Sequence, residues 1–281
     1  VGSEMCIRDR ININASNIST GTLSADRIAA NSISVSKINE INITGTQSTF
    51  TVTSSSGNFS YNASSYNMGV GQDALTSVTS GSGGAAGNTA VGPGAGRYLT
   101  TSSYNTIVGY AAGYDITAYK YSDRSGGGYH TLVGAAAGAN LITGGSAYAA
   151  SSNSNTLIGA NAGLYLTGAK HCTAVGRSAL TPTSGNILTD HMTETGNTGI
   201  GSNAFKRLGD GSYNTGVGYK CGVGIRDGAS NVAIGYFAGV GNGETQAYGM
   251  GNTTAGTANS NVFIGLQSGY RVHGNARNNV F

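Results

Sequence analysis

From residue 67 onward, hydrophobic and polar positions recur in a fixed order that has no helical period. Each repeat opens with an Asn slot, then most often Thr, a third residue of variable size, a Val or Ile, and a Gly. A small residue follows three places after that Gly. The Asn slots are Asn67, Asn88, Asn105, His130, Asn155, Cys172, Asn197, Asn214, Asn231 and Asn261, and an eleventh begins at Asn279. Most steps between slots are 17 or 25 residues, with 17 the shortest (Asn88 to Asn105) and 30 the longest (Asn231 to Asn261). A repeat of this kind identifies a solenoid before any other feature is considered.

The columns suggest physical roles. A β-branched residue two places after Thr or Val fits a short strand whose alternate side chains point inward. The expectation is therefore that the Val/Ile column, including Val91, Val108, Ile158, Val217 and Ile234, forms the core. The Gly that follows, as at Gly92, Gly109, Gly159, Gly218 and Gly235, marks a turn needing positive φ or close backbone approach. The small residues, from Ala74 to Ser268, fit where two sides of one coil nearly touch. The Asn column, including Asn88, Asn105, Asn155, Asn214 and Asn231, predicts a hydrogen-bonded ladder at a corner, with His130 and Cys172 as substitutes within it. Two short strands and two tight turns account for a coil of 17 residues. Ten coils stacked at strand spacing make a rod of about 50 Å. The predicted fold is an all-β parallel solenoid, or β-roll, over residues 67–281, preceded by a shaft or connector over 11–66. In that connector, Ile41-Asn42-Ile43-Thr44 and Phe50-Thr51-Val52-Thr53 alternate with strand period, and residues 24–28 are read as one helical turn.

Composition narrows the class. The chain of 281 residues has 47 Gly, 16 Tyr, 2 Pro, no Trp and 10% charged residues, a low-charge, β-prone mixture that argues for order in a fibrous rather than a globular form. A net charge of +3 without a basic run gives no sign of a nucleic-acid partner or of an anionic membrane. No apolar stretch is long enough to span a bilayer as a helix, and no secretory h-region is visible. Cys6, Cys172 and Cys221 are too dispersed for a disulfide framework or a zinc pattern. Residues 1–10, VGSEMCIRDR, match nothing that follows and read as translated sequencing adapter, which would make Cys6 non-native.

The phrase NTAVG (Asn88 to Gly92) or NTIVG (Asn105 to Gly109), with its following small residue, resembles the head repeats of trimeric autotransporter adhesins. The same phrase is found in phage tail fibres, and residues 14–28, NASNISTGTLSADRI, resemble the shaft phrase of such fibres. What the resemblance implies is a homotrimeric, non-enzymatic receptor-binding fibre on a virion, contacting a host glycan or surface protein. The alternative it leaves open is an autotransporter head on a bacterial cell surface. The repeat unit here is longer than the usual adhesin unit.

The long steps add residues at 114–129, 140–154, 181–196 and 240–258. Loops on a rigid scaffold carry function, and mixtures of Tyr, Ser and Gly suit binding. Tyr114, Tyr119, Tyr121, Tyr129 and Tyr148 are the candidates for stacking on sugar rings. No cofactor, metal or catalytic set is expected. Gly222-Val223-Gly224 with Gly228 lacks a strand–helix context, and the four histidines lack metal-ligand spacing. His171 beside Cys172 invites a nucleophile reading, but both fall where the repeat calls for structural residues. A polysaccharide-cleaving tailspike would call for paired carboxylates, and only 12 Asp and Glu occur in the chain.

Overall fold

The computed structural model describes residues 49–54, 57–62, 65–78, 84–116, 128–141, 153–166, 168–182, 195–209, 211–225, 228–240, 259–270 and 276–281. Most of the connector, including its expected helical turn, lies outside these residues. The described residues form one sheet of 12 strands in sequence order and contain no helix. The first two strands, β1 (Thr49–Ser54) and β2 (Gly57–Asn62), make an antiparallel hairpin that pairs with β3 (Asn67–Val70). From there every pairing is parallel. The later strands are β4 (Thr89–Val91), β5 (Thr106–Val108), β6 (Thr131–Val133), β7 (Thr156–Ile158) and β8 (Thr173–Val175). They continue with β9 (Thr198–Ile200), β10 (Thr215–Val217), β11 (Val232–Ile234) and β12 (Val262–Ile264). Equivalent residues of successive repeats face each other, as in Thr106↔Thr131, Ile107↔Leu132 and Val108↔Val133. The fold is an all-β parallel solenoid with one strand per coil.

Two strands per coil were expected, and the second is replaced by an arch. After each strand comes the glycine with φ between 124° and 137°, and two further residues of the arch take left-handed backbone, as Ala111 (φ 50) and Gly113 (φ 52) do. A third left-handed residue precedes every Asn slot, as at Tyr104 (φ 59) and Tyr213 (φ 60). These bends stop the arch from being a strand, yet its amides still bond to neighbouring coils. Ala111 N donates to Pro93 O (2.9 Å) in the coil before, and Gly113 N donates to Ala137 O (2.9 Å) in the coil after. The arch therefore satisfies its backbone by the same coil-to-coil stacking as the sheet.

The Asn ladder is present and buried. Asn88 Oδ1 accepts from Asn105 N (2.9 Å) and Asn105 Nδ2 (2.8 Å), and the same pair of bonds joins Asn197 to Asn214 and Asn214 to Asn231. The second amide hydrogen goes to a backbone carbonyl, as from Asn214 Nδ2 to Gly228 O (2.7 Å). His130 keeps one rung, with Nδ1 accepting from Asn155 N (3.3 Å). Cys172 N donates to Asn155 Oδ1 (2.9 Å), but a thiol offers no amide to the next coil.

Burying the Asn fixes the parity of the strand, and the parity overturns the expectation for the Val/Ile column. Side chains alternate faces, so the Asn and the variable third residue point inward while Thr and Val/Ile point outward. Ala90, Ile107, Leu132, Leu157, Ala174 and Phe263 are 0–1% exposed. Ile158, Ile200, Val217 and Ile234 are 38–40% exposed and Ile264 is 59% exposed. The core consists of the variable third residues, the small arch residues such as Ala112 and Ala162, and a closing Leu or Ile such as Leu99, Ile116 and Leu166. Variation at the third position is tolerated because neighbouring coils trade volume. Phe205 fills the space over Gly216 and Gly222, where an added Cβ would come within 2.5 and 2.1 Å of its ring.

The repeated glycine obeys both constraints anticipated for it. A Cβ on Gly201 would lie 2.2 Å from Gly218 O in the next coil, and one on Gly159 would lie 2.7 Å from the Gly176 carbonyl. At Gly265 the same Cβ meets nothing within 4 Å, although φ is still +124°. Gly201→Ala is expected to cost about 2–6 kcal/mol, combining backbone strain with overpacking, whereas Gly265→Ala should cost only the strain of about 1–3 kcal/mol. Denaturant unfolding of the two variants checks this, and equal losses would contradict it. His130→Asn restores two amide bonds to the ladder and should stabilise the chain by about 1 kcal/mol in the same measurement.

Candidate functional site

All variation in coil length falls at one place. Six of the described coils close their core at the twelfth residue of the repeat (Leu99, Ile116, Leu141, Leu166, Leu208, Ile225), and the shortest of them re-enter the ladder four residues later. Ser103 and Gly128 form a parallel bridge there, as do Asn153 and Lys170, and Lys170 and Thr195. Between closure and re-entry the chain spends three residues after Leu99 (100–102) and eleven after Ile116 (117–127). The insertion after Leu141 begins and ends at the same two points of the coil, at 142 and 152. Roots of the long segments are therefore collected along a single edge of the solenoid, as stacked coils require.

Tyrosines border this edge on both sides. Tyr114 lies where the chain leaves for 117–127, and Tyr129 where it returns. Tyr114 meets Tyr98 of the preceding coil edge-to-face at 5.1 Å and 87°. Arg97 lies 5.4 Å from the Tyr98 ring centroid and 5.8 Å from that of Tyr114, and it pairs with Asp73 at 3.4 Å. The hydrogen bond with Tyr114 holds the Tyr98 hydroxyl above its ordinary pKa. Tyr129 stacks on Tyr104 at 5.2 Å and 17°. The structure thus divides the predicted set: Tyr114 and Tyr129 stand on opposite flanks of one loop, and Tyr119, Tyr121 and Tyr148 lie outside the described residues.

Sequence reasoning confined to the insertions missed Tyr66, Tyr104 and Tyr213, which are 71%, 57% and 64% exposed and occupy the same slot as Tyr129. The signal was available, since Tyr precedes the Asn slot at 66, 104, 129 and 213. Where the preceding coil has glycine in this slot, the ring leans on bare backbone, as Tyr104 does on Gly87 and Tyr213 on Gly196. The stack covers one ring face of Tyr129, which stays 64% exposed.

The Cys–His suspicion finds no support in the geometry. His171 is exposed, whereas Cys172 is fully buried with Sγ directed to Lys170 O at 3.4 Å. Cys221 fills a small-residue slot of the arch beside Phe205, and burial pushes its thiol up to about 12. Among the described residues, no group of three or more His, Cys, Asp or Glu is arranged to hold a metal ion. Comparison with known protein families, with curated proteins and with solved structures finds no match.

Cys221 provides a pH test. The folded chain keeps this thiol neutral, while the unfolded chain ionises it above about pH 8.5, so stability falls as pH rises beyond that value. Unfolding midpoints of the parent should drop more between pH 8.5 and 10.5 than those of Cys221→Ala. Equal slopes would show that the thiol is not held neutral by burial.

Proposed function

We propose that this chain is a non-catalytic display scaffold of a phage tail fibre. In this reading the solenoid carries binding loops along one edge, the partner is a glycan or protein on a host cell surface, and the fibre is a homotrimer. The observation that carries the proposal is that, among the described residues, the coils are uniform and the long segments 117–127 and 142–152 leave and return at the same two points of the coil. A rigid backbone with interchangeable loops at one edge is what a receptor-binding element needs. Several copies of a weak site raise avidity without new contacts.

Self-association is supported by the outer sheet face. Val or Ile occupies all ten equivalent positions from Val70 to Ile264, although several are about two-fifths exposed. The buried third position meanwhile ranges from Gly to Phe. A monomer that had only its own core to fill would show the reverse. A continuous apolar face beside a column of Thr suits packing against further copies of the chain. The trimeric state comes from the resemblance to adhesin heads and fibre proteins. The shaft-like phrase at residues 14–28 favours a virion over the alternative, a bacterial autotransporter head.

Two measurements test this. Light scattering should give three times the chain mass of 28.1 kDa, and Ile200→Lys with Val217→Lys should reduce it to one chain while preserving the β-rich circular dichroism. A single-chain mass for the parent would overturn the oligomer. Replacing residues 117–127 with Thr-Thr-Ser, the short connection at 100–102, should leave the unfolding midpoint unchanged and reduce adsorption to host cells or glycan arrays. Undiminished adsorption after all long loops are shortened would overturn display by the loops.

A further inference from the structure

Charge on the described scaffold is segregated along the solenoid axis. Its two side-chain carboxylates, Asp73 and Asp115, lie in the coils of β3 and β5, and Arg97 sits in the coil of β4 between them. The arches that follow β8, β9 and β10 carry Arg177, Lys206, Arg207 and Lys220. Asp190, Glu194, Asp210 and Asp227 lie outside the described residues. The four cations lie on three successive stacked arches: Asn203 N donates to Arg177 O (2.8 Å), Lys220 N to Ser202 O (3.0 Å) and Gly224 N to Lys206 O (3.3 Å). They therefore span about 10 Å along the axis, two strand spacings. All four side chains are exposed or half-exposed.

Aromatic rings continue the patch into the next coil. Tyr219 and Tyr236 stack at 5.5 Å and 19°, and Phe237 lies 4.5 Å from Tyr236. Lys220 Nζ sits 5.0 Å from the Phe237 centroid and 5.5 Å from that of Tyr219. Tyr219 and Tyr236 are 42% and 49% exposed. Arg177, Tyr219 and Tyr236 each stand one glycine beyond the end of a strand, at the start of the arch.

We infer that the arches following β8 to β11 form a binding surface for an acidic polysaccharide. Lys and Arg meet sugar carboxylates through charge-assisted hydrogen bonds, with Arg able to do so in bidentate geometry. Tyrosine rings and hydroxyls engage the C–H faces and hydroxyls of the pyranose rings. An extended polymer lying along the axis meets successive coils as a periodic surface, which a compact ligand does not. Four cations are too few for the phosphate contacts that hold a nucleic acid at physiological salt. This inference rests on the display reading and gives it a ligand class, at a surface separate from the loop edge.

The test uses the full chain and immobilised polygalacturonate, with its methyl ester as the neutral polymer of the same backbone. Binding to polygalacturonate should be at least about tenfold tighter than to the ester and should weaken steeply with added salt. The combined variant Arg177→Gln, Lys206→Gln, Arg207→Gln and Lys220→Gln should lose at least about tenfold, and Tyr236→Ser should lose part of the affinity. Arg97→Gln, on the far coils, should bind within about twofold of the parent. Unchanged unfolding midpoints establish that the variants are folded. Binding of the combined variant equal to the parent, equal affinity for the ester, or tighter binding to single-stranded DNA would each overturn the assignment. Host adsorption that survives in the combined variant while polygalacturonate binding is absent in the parent would sink this surface alone and leave the display reading standing.

Discussion

Coil stacks on coil in this chain because all but two of the repeats from Asn67 to Asn261 bury a side-chain amide that must find its partners in the adjacent coils. An unsatisfied buried amide costs on the order of 1–3 kcal/mol, and the Asn side chains at 0–5% exposure avoid that cost only in register. Oδ1 takes the backbone and side-chain N–H of the next coil, and Nδ2 reaches a carbonyl beyond it. A slip by one residue would put the amide on the outer face and the Thr in the core, so the ladder specifies register as well as adding stability. The glycine that follows the strand adds a steric condition. Coils approach so closely at Gly92, Gly109 and Gly218 that a Cβ would meet the carbonyl of the next coil.

Much of this was legible before the structure. The spacing of Asn slots gave the coil boundaries, the expected ladder is present, and the glycine column has the positive φ and the close approach that its recurrence implied. The orientation of Val and Ile was misread. Hydrophobicity alone put Val91 and Ile158 inside, yet a buried Asn two and four positions away from alternate residues fixes which of them face the core, and Val91 and Ile158 fall on the other side. Reading the Asn column as a buried ladder and then applying strand parity would have reached the observed arrangement. The arch was harder to foresee. Non-glycine residues with positive φ, such as Ala111, Lys220 and Phe237, leave no composition signal, because coil stacking supplies the free energy that holds them there.

The candidate site was partly legible. The loop edge follows from coil lengths, and Tyr114 and Tyr129 flank it. Tyr104 and Tyr213 lie outside the insertions, because the exposed Tyr column belongs to the repeat itself. Among the described residues, Asp73 and Arg97 pair near the first coils and the arch cations lie on the later ones. That polarity depends on which residues become neighbours in space, and residues 177 to 220 are scattered in sequence.

Native-state hydrogen exchange tests the central claim most directly. The backbone amides of Asn105, Asn214 and Asn231 each donate to the Oδ1 of the Asn in the preceding coil. If buried side-chain rungs hold the coils in register, these amides should exchange only through the largest opening of the solenoid, as slowly as the amide of Gly218 in the same sheet. Exchange of the ladder amides at rates typical of loop residues, with the glycine amides still protected, would mean that the rungs do not carry the stack.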